Sequence, residues 1–143
     1  MTDFKLDAFL PYQLNVLAGR LSRGFAEIYR ERFGLTVAEW RVLAHLNDGS
    51  GASVREISAA ADLEKSRVSR AVSRLEARGL VTRDAGDGDK RLVSLALTPA
   101  GVDMVARIVP LARAYEAQVR AALADDARFS AAIADALDTT AQT

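Results

Sequence analysis

Two tetrapeptides, Thr36-Val-Ala-Glu39 and Ser53-Val-Arg-Glu56, constrain this chain more than any other feature. In each, a hydroxyl and a carboxylate three residues apart match the capping box, which reciprocally satisfies backbone amides left unpaired at a helix start. The first helix so marked should end near Gly49 and the second, a short one, around Ala61. Their neighbours are punctuated as clearly. Leu10, Leu14, Leu17, Leu21, Phe25 and Ile28 recur at the spacing of one helical face, so a long helix runs from Leu10 until Gly34 stops it. A helix is expected from about Glu64 to Gly79, then a strand from Leu80 to Asp84. That strand pairs with Leu92–Leu97, where Val93, Leu95 and Leu97 alternate with Leu92, Ser94 and Ala96. Glycines 86 and 88 supply the turn between them. Thr98-Pro99 caps and opens a long helix, and Asp125 and Asp126 suit the start of a last one, expected to end before a fraying "DTTAQT" tail.

The fold expected is therefore mainly α with a small β-wing: a helix-turn-helix followed by a strand pair, flanked at both ends by helices. With 143 residues, half of them apolar, the chain can bury the core of one compact subunit. It carries no basic-then-apolar leader and no apolar run of membrane-spanning length, so the expected location is cytoplasmic. Zero cysteines exclude disulfides and thiol chemistry, and a single histidine, His45, leaves no metal site to complete. No G-x-S-x-G, phosphate-binding glycine loop or histidine–carboxylate cluster is present, so neither an enzyme nor a cofactor is expected.

Net charge is zero, yet it is unevenly spread. Between Lys65 and Arg83 stand six bases, Lys65, Arg67, Arg70, Arg74, Arg78 and Arg83, against one acid, Glu76, whereas from Pro99 onward six acids face four bases. A local basic field can attract phosphates on a neutral molecule. On the helix beginning at Glu64, Val68, Val72 and Leu75 fall on one side with Ala71 at its margin. Ser66, Arg70, Ser73 and Ala77 point the other way, with Arg67 and Arg74 flanking them. Small hydroxyls allow close approach to base edges and arginine forks fit guanine or phosphate, so this face suits a major groove. From these residues alone, an ordinary amphipathic helix with a solvated basic face fits equally well.

"DLEKSRVSRAVSRLEARGLVTR" followed by "GDKRLVSLALTPAG" resembles the MarR family of bacterial winged-helix transcriptional regulators. The matching residues are Arg74-Leu75-Glu76, Arg78-Gly79-Leu80, the wing pair Asp89 and Arg91, and Leu97-Thr98 with Gly101; "LTVAEWRVLAHL" is similar to the family's second helix. The resemblance implies a homodimer whose first, fifth and sixth helices interlock, and a winged helix-turn-helix that binds a double-stranded, pseudopalindromic operator. It divides the chain into an N-terminal dimerisation region (1–34), a DNA-binding region (35–98) and C-terminal dimerisation helices (99–143). The DNA contacts it implies are Lys65, Ser66, Arg67, Ser69, Arg70, Ser73, Arg74, Lys90 and Arg91. Asp89, two residues before Arg91, would hold its guanidinium by a charge-assisted fork. Asp84 and Asp87 have no assigned role.

Family members commonly respond to small aromatic acids or related anions, which makes Arg20 and Arg23, beside Gly19 and Gly24 on the first helix, candidate ligand residues with Trp40 at the apolar side. The expected function is a DNA-binding regulator, a repressor released by such an anion. The alternative is a winged-helix protein interaction module without DNA. Trp40 with Leu43 and Leu46 also has the spacing of a core residue, and His45 reads as a surface residue.

Overall fold

The first long helix, α1, spans Leu10–Phe33 after a single 3-10 turn at Leu6–Ala8, and stops where Gly34 takes a φ of 66°. That left-handed conformation favours glycine, and it lets the Gly34 N–H close back onto the carbonyls of Arg30 and Tyr29. The computed structural model from which the fold is described covers residues 1–85 and 93–141. Helix α2 is Val37–His45, extended by a 3-10 turn at Leu46–Asp48 that ends on Gly49, and α3 is Val54–Ala61. Helix α4 is Lys65–Ala77, followed by β1 (Val81–Ala85) and β2 (Val93–Leu97). Helices α5 (Pro99–Ala122) and α6 (Asp126–Thr140) complete the described chain. The fold is mainly α with a two-stranded wing, as its punctuation predicts.

The two capping boxes form differently. At α3, Ser53 and Glu56 satisfy each other's backbone amides in a full box. At α2 only half forms: Thr36 Oγ1 accepts from the Glu39 N–H, while the Glu39 carboxylate accepts from the Thr36 hydroxyl rather than closing the box on its backbone amide. Helix α6 also departs from expectation, running through Thr140 where fraying was expected from Asp138. The hydroxyls of Thr139 and Thr140 fold back onto the carbonyls of Asp135 and Ala136, which suits a helix end as well as a tail.

Residues Met1–Pro110 form one compact unit and Leu111–Thr143 a second. In the first, Tyr29, Leu35, Val42, Leu43, Leu46, Ile57, Val68, Val72, Leu75, Leu95, Val105 and Ile108 are buried in one core that joins α1 to the start of α5. Each large aliphatic side chain so buried stabilises the unit by roughly 1.5–3 kcal/mol before conformational entropy is charged against it. The strands pair antiparallel in the register Val81↔Leu97, and β2 is held on its other side by Ala52, which exchanges two backbone bonds with Leu95 at 3.2 and 2.7 Å. In the second unit, the Asp125 side chain caps α6 by accepting from the Arg128 N–H, and Arg120 lies within ion-pair distance of Glu116 and Asp126. No residue of α6 is buried.

The segment joining α4 to α5 explains a motif. Gly79 takes a φ of 73°, letting the Leu80 N–H return to the Leu75 carbonyl. Thr98 Oγ1 donates to the Gly79 carbonyl at 2.6 Å and accepts from the Gly101 N–H at 3.1 Å. A Cβ on Gly101 would stand only 2.1 Å from the Leu80 carbonyl oxygen, so this turn of α5 packs on backbone that no other residue would admit.

Candidate nucleic-acid interface

Helix α4 is set by the turn before it. Asp62 ends α3 in the left-handed region (φ 54°), the Leu63 N–H returns to the Ser58 carbonyl at 3.1 Å, and the Ser58 hydroxyl donates to the Leu63 carbonyl. Leu63 is tucked into the core, so the turn has little freedom to change the angle between the two helices. Val68, Ala71, Val72 and Leu75 of α4 are wholly buried, Ala71 included although it stands at the margin of the stripe. Lys65, Ser66, Arg67, Ser69, Arg70, Ser73, Arg74 and Ala77 are exposed. The sequence therefore yields one packed stripe and an outer face rich in hydroxyls and cations, with Glu76 also exposed near its end.

Three of the cations in this region are already engaged. Arg74 Nε donates to Glu39 Oε1 at 3.1 Å, tying α4 to α2. Arg78 donates to the carbonyls of Phe33 and Gly34 at 3.0 and 3.3 Å, taking up acceptors that the end of α1 leaves unpaired. Arg83 on β1 reaches Glu76 Oε1 at 3.3 Å and Ser73 Oγ at 3.2 Å, so the stem of the wing is joined to the outer face of α4. Glu39, Arg78 and Arg83 are the site residues that sequence reasoning missed. Their partners lie 35, 44 and 10 residues away or at similar separations, and no helical or strand period carries such a signal.

The wing residues Asp87, Asp89, Lys90 and Arg91 lie outside the described residues. Asp84 is described: it is exposed on β1, opposite Ser94. Arg20 lines a cavity of about 370 Å³ with Asp7, Tyr12, Gln13, Val16 and Leu17, which includes neither Arg23 nor Trp40. Trp40 meets Phe25 edge-on at 5.6 Å and stacks on Tyr29 at 5.8 Å, packed against the core as its spacing with Leu43 and Leu46 implies. The Arg23 guanidinium crosses Gly19, where a Cβ would come within 3.0 Å of it.

Burial pushes the Tyr29 phenol above its ordinary range, opposed by the nearby positive charges of Arg41, Arg30 and Arg67. The Asp48 carboxyl is held below the usual carboxylate range by the Ser50 N–H and hydroxyl, both donating to it. Among the described residues no group of His, Asp or Glu side chains could hold a metal ion, and no helix is long and apolar enough to cross a membrane.

A family model described as "MarR family" matches residues 33–92, which takes in α2, α3, α4 and the first wing strand, β1. A MarR family transcriptional regulator from Silicibacter pomeroyi DSS-3 has the same fold with a TM-score of 0.84, at 35% identity over 96% of this chain and 99% of that one. A putative transcriptional regulatory protein for the hcr operon of Thauera aromatica is 31% identical over 114 residues, 80% of this chain. The HTH-type transcriptional repressor IacR of Pseudomonas putida is 28% identical over 111 residues, 78% of this chain. The chain spans 63% and 66% of the lengths of these two curated relatives. All three are regulators rather than enzymes. With a helix-turn-helix that buries one face of α4, a paired wing behind it and a relative matched over nearly its whole length, this chain belongs to the MarR family of transcriptional regulators.

Proposed function

We propose that the chain works as a homodimer on a pseudopalindromic double-stranded operator and represses transcription until a small aromatic acid or related anion releases it. The observation that carries the DNA reading is α4 itself. Its apolar stripe is consumed by the core while Lys65, Ser66, Arg67, Ser69, Arg70 and Ser73 stand exposed along the other face. In this reading α4 enters the major groove, with Arg70 and the serines at base edges and Arg74 on a phosphate. Arg91 and Lys90 of the wing enter the adjoining minor groove, whose negative potential favours cations, with Asp89 orienting Arg91. Regions 1–34 and 99–143 serve as the dimerisation parts. Support comes from the apolar residues that one chain leaves uncovered there: Leu10 is 62% exposed, Leu14 48% and Leu137 65%.

The effector reading rests on Arg20, the one cation lining its cavity, beside the apolar Val16 and Leu17 and the ring of Tyr12. Asp7 lines the same cavity and opposes an anion, so Arg20 must outweigh it at the bound carboxylate. The repressor sign is taken from the likeness to IacR.

A salt-titrated anisotropy assay tests the DNA reading. Arg70→Ala and Arg91→Ala should each weaken operator binding by about 1–3 kcal/mol, and binding by the parent should fall steeply as salt rises. Parental affinity in both variants, or binding indifferent to salt, contradicts it. Aromatic acids and their neutral isosteres, tested for operator release with the parent, Arg20→Ala and Arg23→Ala, test the effector. Equal potency of the neutral compounds contradicts a cationic site.

A further inference from the structure

We infer that Glu39 is a positioning residue for DNA binding: it holds the Arg74 guanidinium by its Nε edge and thereby leaves the two terminal amino groups for a backbone phosphate. The inference rests on the DNA reading given above. It begins with the contrast between the capping boxes. Glu56 stays exposed and takes the Ser53 amide and hydroxyl, as a capping carboxylate should. The Glu39 side chain is only 4% exposed, and its Oε1 accepts from the Thr36 hydroxyl and from Arg74 Nε, both at 3.1 Å.

A buried carboxylate is costly unless it is paired, and well-packed apolar residues would often serve stability as well as such a pair does. Stability alone therefore does not call for this one. Its geometry suits another purpose. Arginine presents its donors along separate edges of a rigid plane, so one edge can be anchored while the other binds; lysine cannot divide its charge in that way. The Arg74 side chain is 50% exposed, on the same helix as Ser66 and Arg70, so it is anchored at its root and open at its end. A long side chain already ordered loses less freedom when it meets a phosphate.

A phosphate contact is independent of sequence, so the full chain can be tested on a mixed-sequence duplex at low salt, below the melting temperature of every variant. Simple electrostatics predicts that removing an acid near the DNA face tightens binding. Positioning predicts the reverse. Glu39→Ala should weaken binding by about 5- to 30-fold, and Glu39→Gln, which keeps the acceptor, should lie between it and the parent. On an Arg74→Ala background, Glu39→Ala should cost no further affinity. In the protein without DNA, the Arg74 Nε–H resonance should exchange slowly with water in the parent and rapidly in Glu39→Ala. Glu39→Ala binding as tightly as the parent overturns the role of Glu39 and leaves the DNA reading standing. Equal weakening with and without Arg74 overturns it too, because that marks general damage to the fold. A parent that binds no duplex overturns the DNA reading and this inference with it.

Discussion

Helices α4 and α6 carry the same kind of signal in sequence, an apolar stripe at helical spacing, and the chain treats them in opposite ways. Val68, Ala71, Val72 and Leu75 of α4 are wholly buried by neighbouring elements. Along α6, Phe129 is half-buried, Ile133 and Leu137 are 42% and 65% exposed, and no residue is buried. Periodicity says that a face must be covered and is silent about what covers it. Helix α4 obtains its cover within one chain, which leaves its polar face available. The terminal helix keeps its apolar face for a second copy, in the dimer we propose.

That contrast can be broken from either side. The largest effect should come from Leu75→Ala, which opens a cavity in a face that the chain alone packs. Urea unfolding should show a loss of about 2–5 kcal/mol at every protein concentration. Placing charge on the other stripe, Ile133→Glu with Leu137→Glu, should leave helix content intact and raise the dimer dissociation constant at least 100-fold, about 2.7 kcal/mol. Sedimentation would read that change, and a melting temperature that no longer rises with concentration would accompany it.

A smaller effect belongs to Gly101→Ala. The new Cβ meets the Leu80 carbonyl oxygen, which is backbone and has little room to give, so a loss of about 1–3 kcal/mol is expected in the same urea experiment. An unchanged midpoint would mean that α5 can lift from the turn at Leu80. The smallest effect concerns Asp48, on an exposed turn between α2 and α3. Its folded pKa lies below the ordinary 3.8, so the stability it contributes is complete above that value and is lost as pH falls through the lowered one. A carboxyl NMR titration should show this, and Ser50→Ala should return the midpoint towards 3.8.

The legible parts of the fold were those that local chemistry decides. Gly34 and Gly49 stop their helices in the left-handed region, Ser53 with Glu56 and Thr98 with Pro99 start theirs, and Asp125 caps the last. The outer face of α4 could be read for the same reason, because a period of 3.6 residues separates its serines and arginines from its valines. The connections of the site could not. Nothing near Glu39 in the chain announces that its carboxylate also takes Arg74, and nothing near Ala52 announces a bridge to Leu95. Both depend on where distant elements come to rest. The same holds for Trp40, whose aromatic partners Phe25 and Tyr29 lie on another helix.

The central claim is that the outer face of α4, presented twice by a symmetric dimer, reads DNA. Selection of the full chain against a randomised duplex library, sequenced after rounds at low and at moderate salt, tests it most directly. The account predicts an enriched pseudopalindrome with half-sites about 10 base pairs apart centre to centre, its affinity falling linearly with salt on logarithmic axes. Binding that enriches no sequence, or that enriches a single unsymmetrical site, would contradict it.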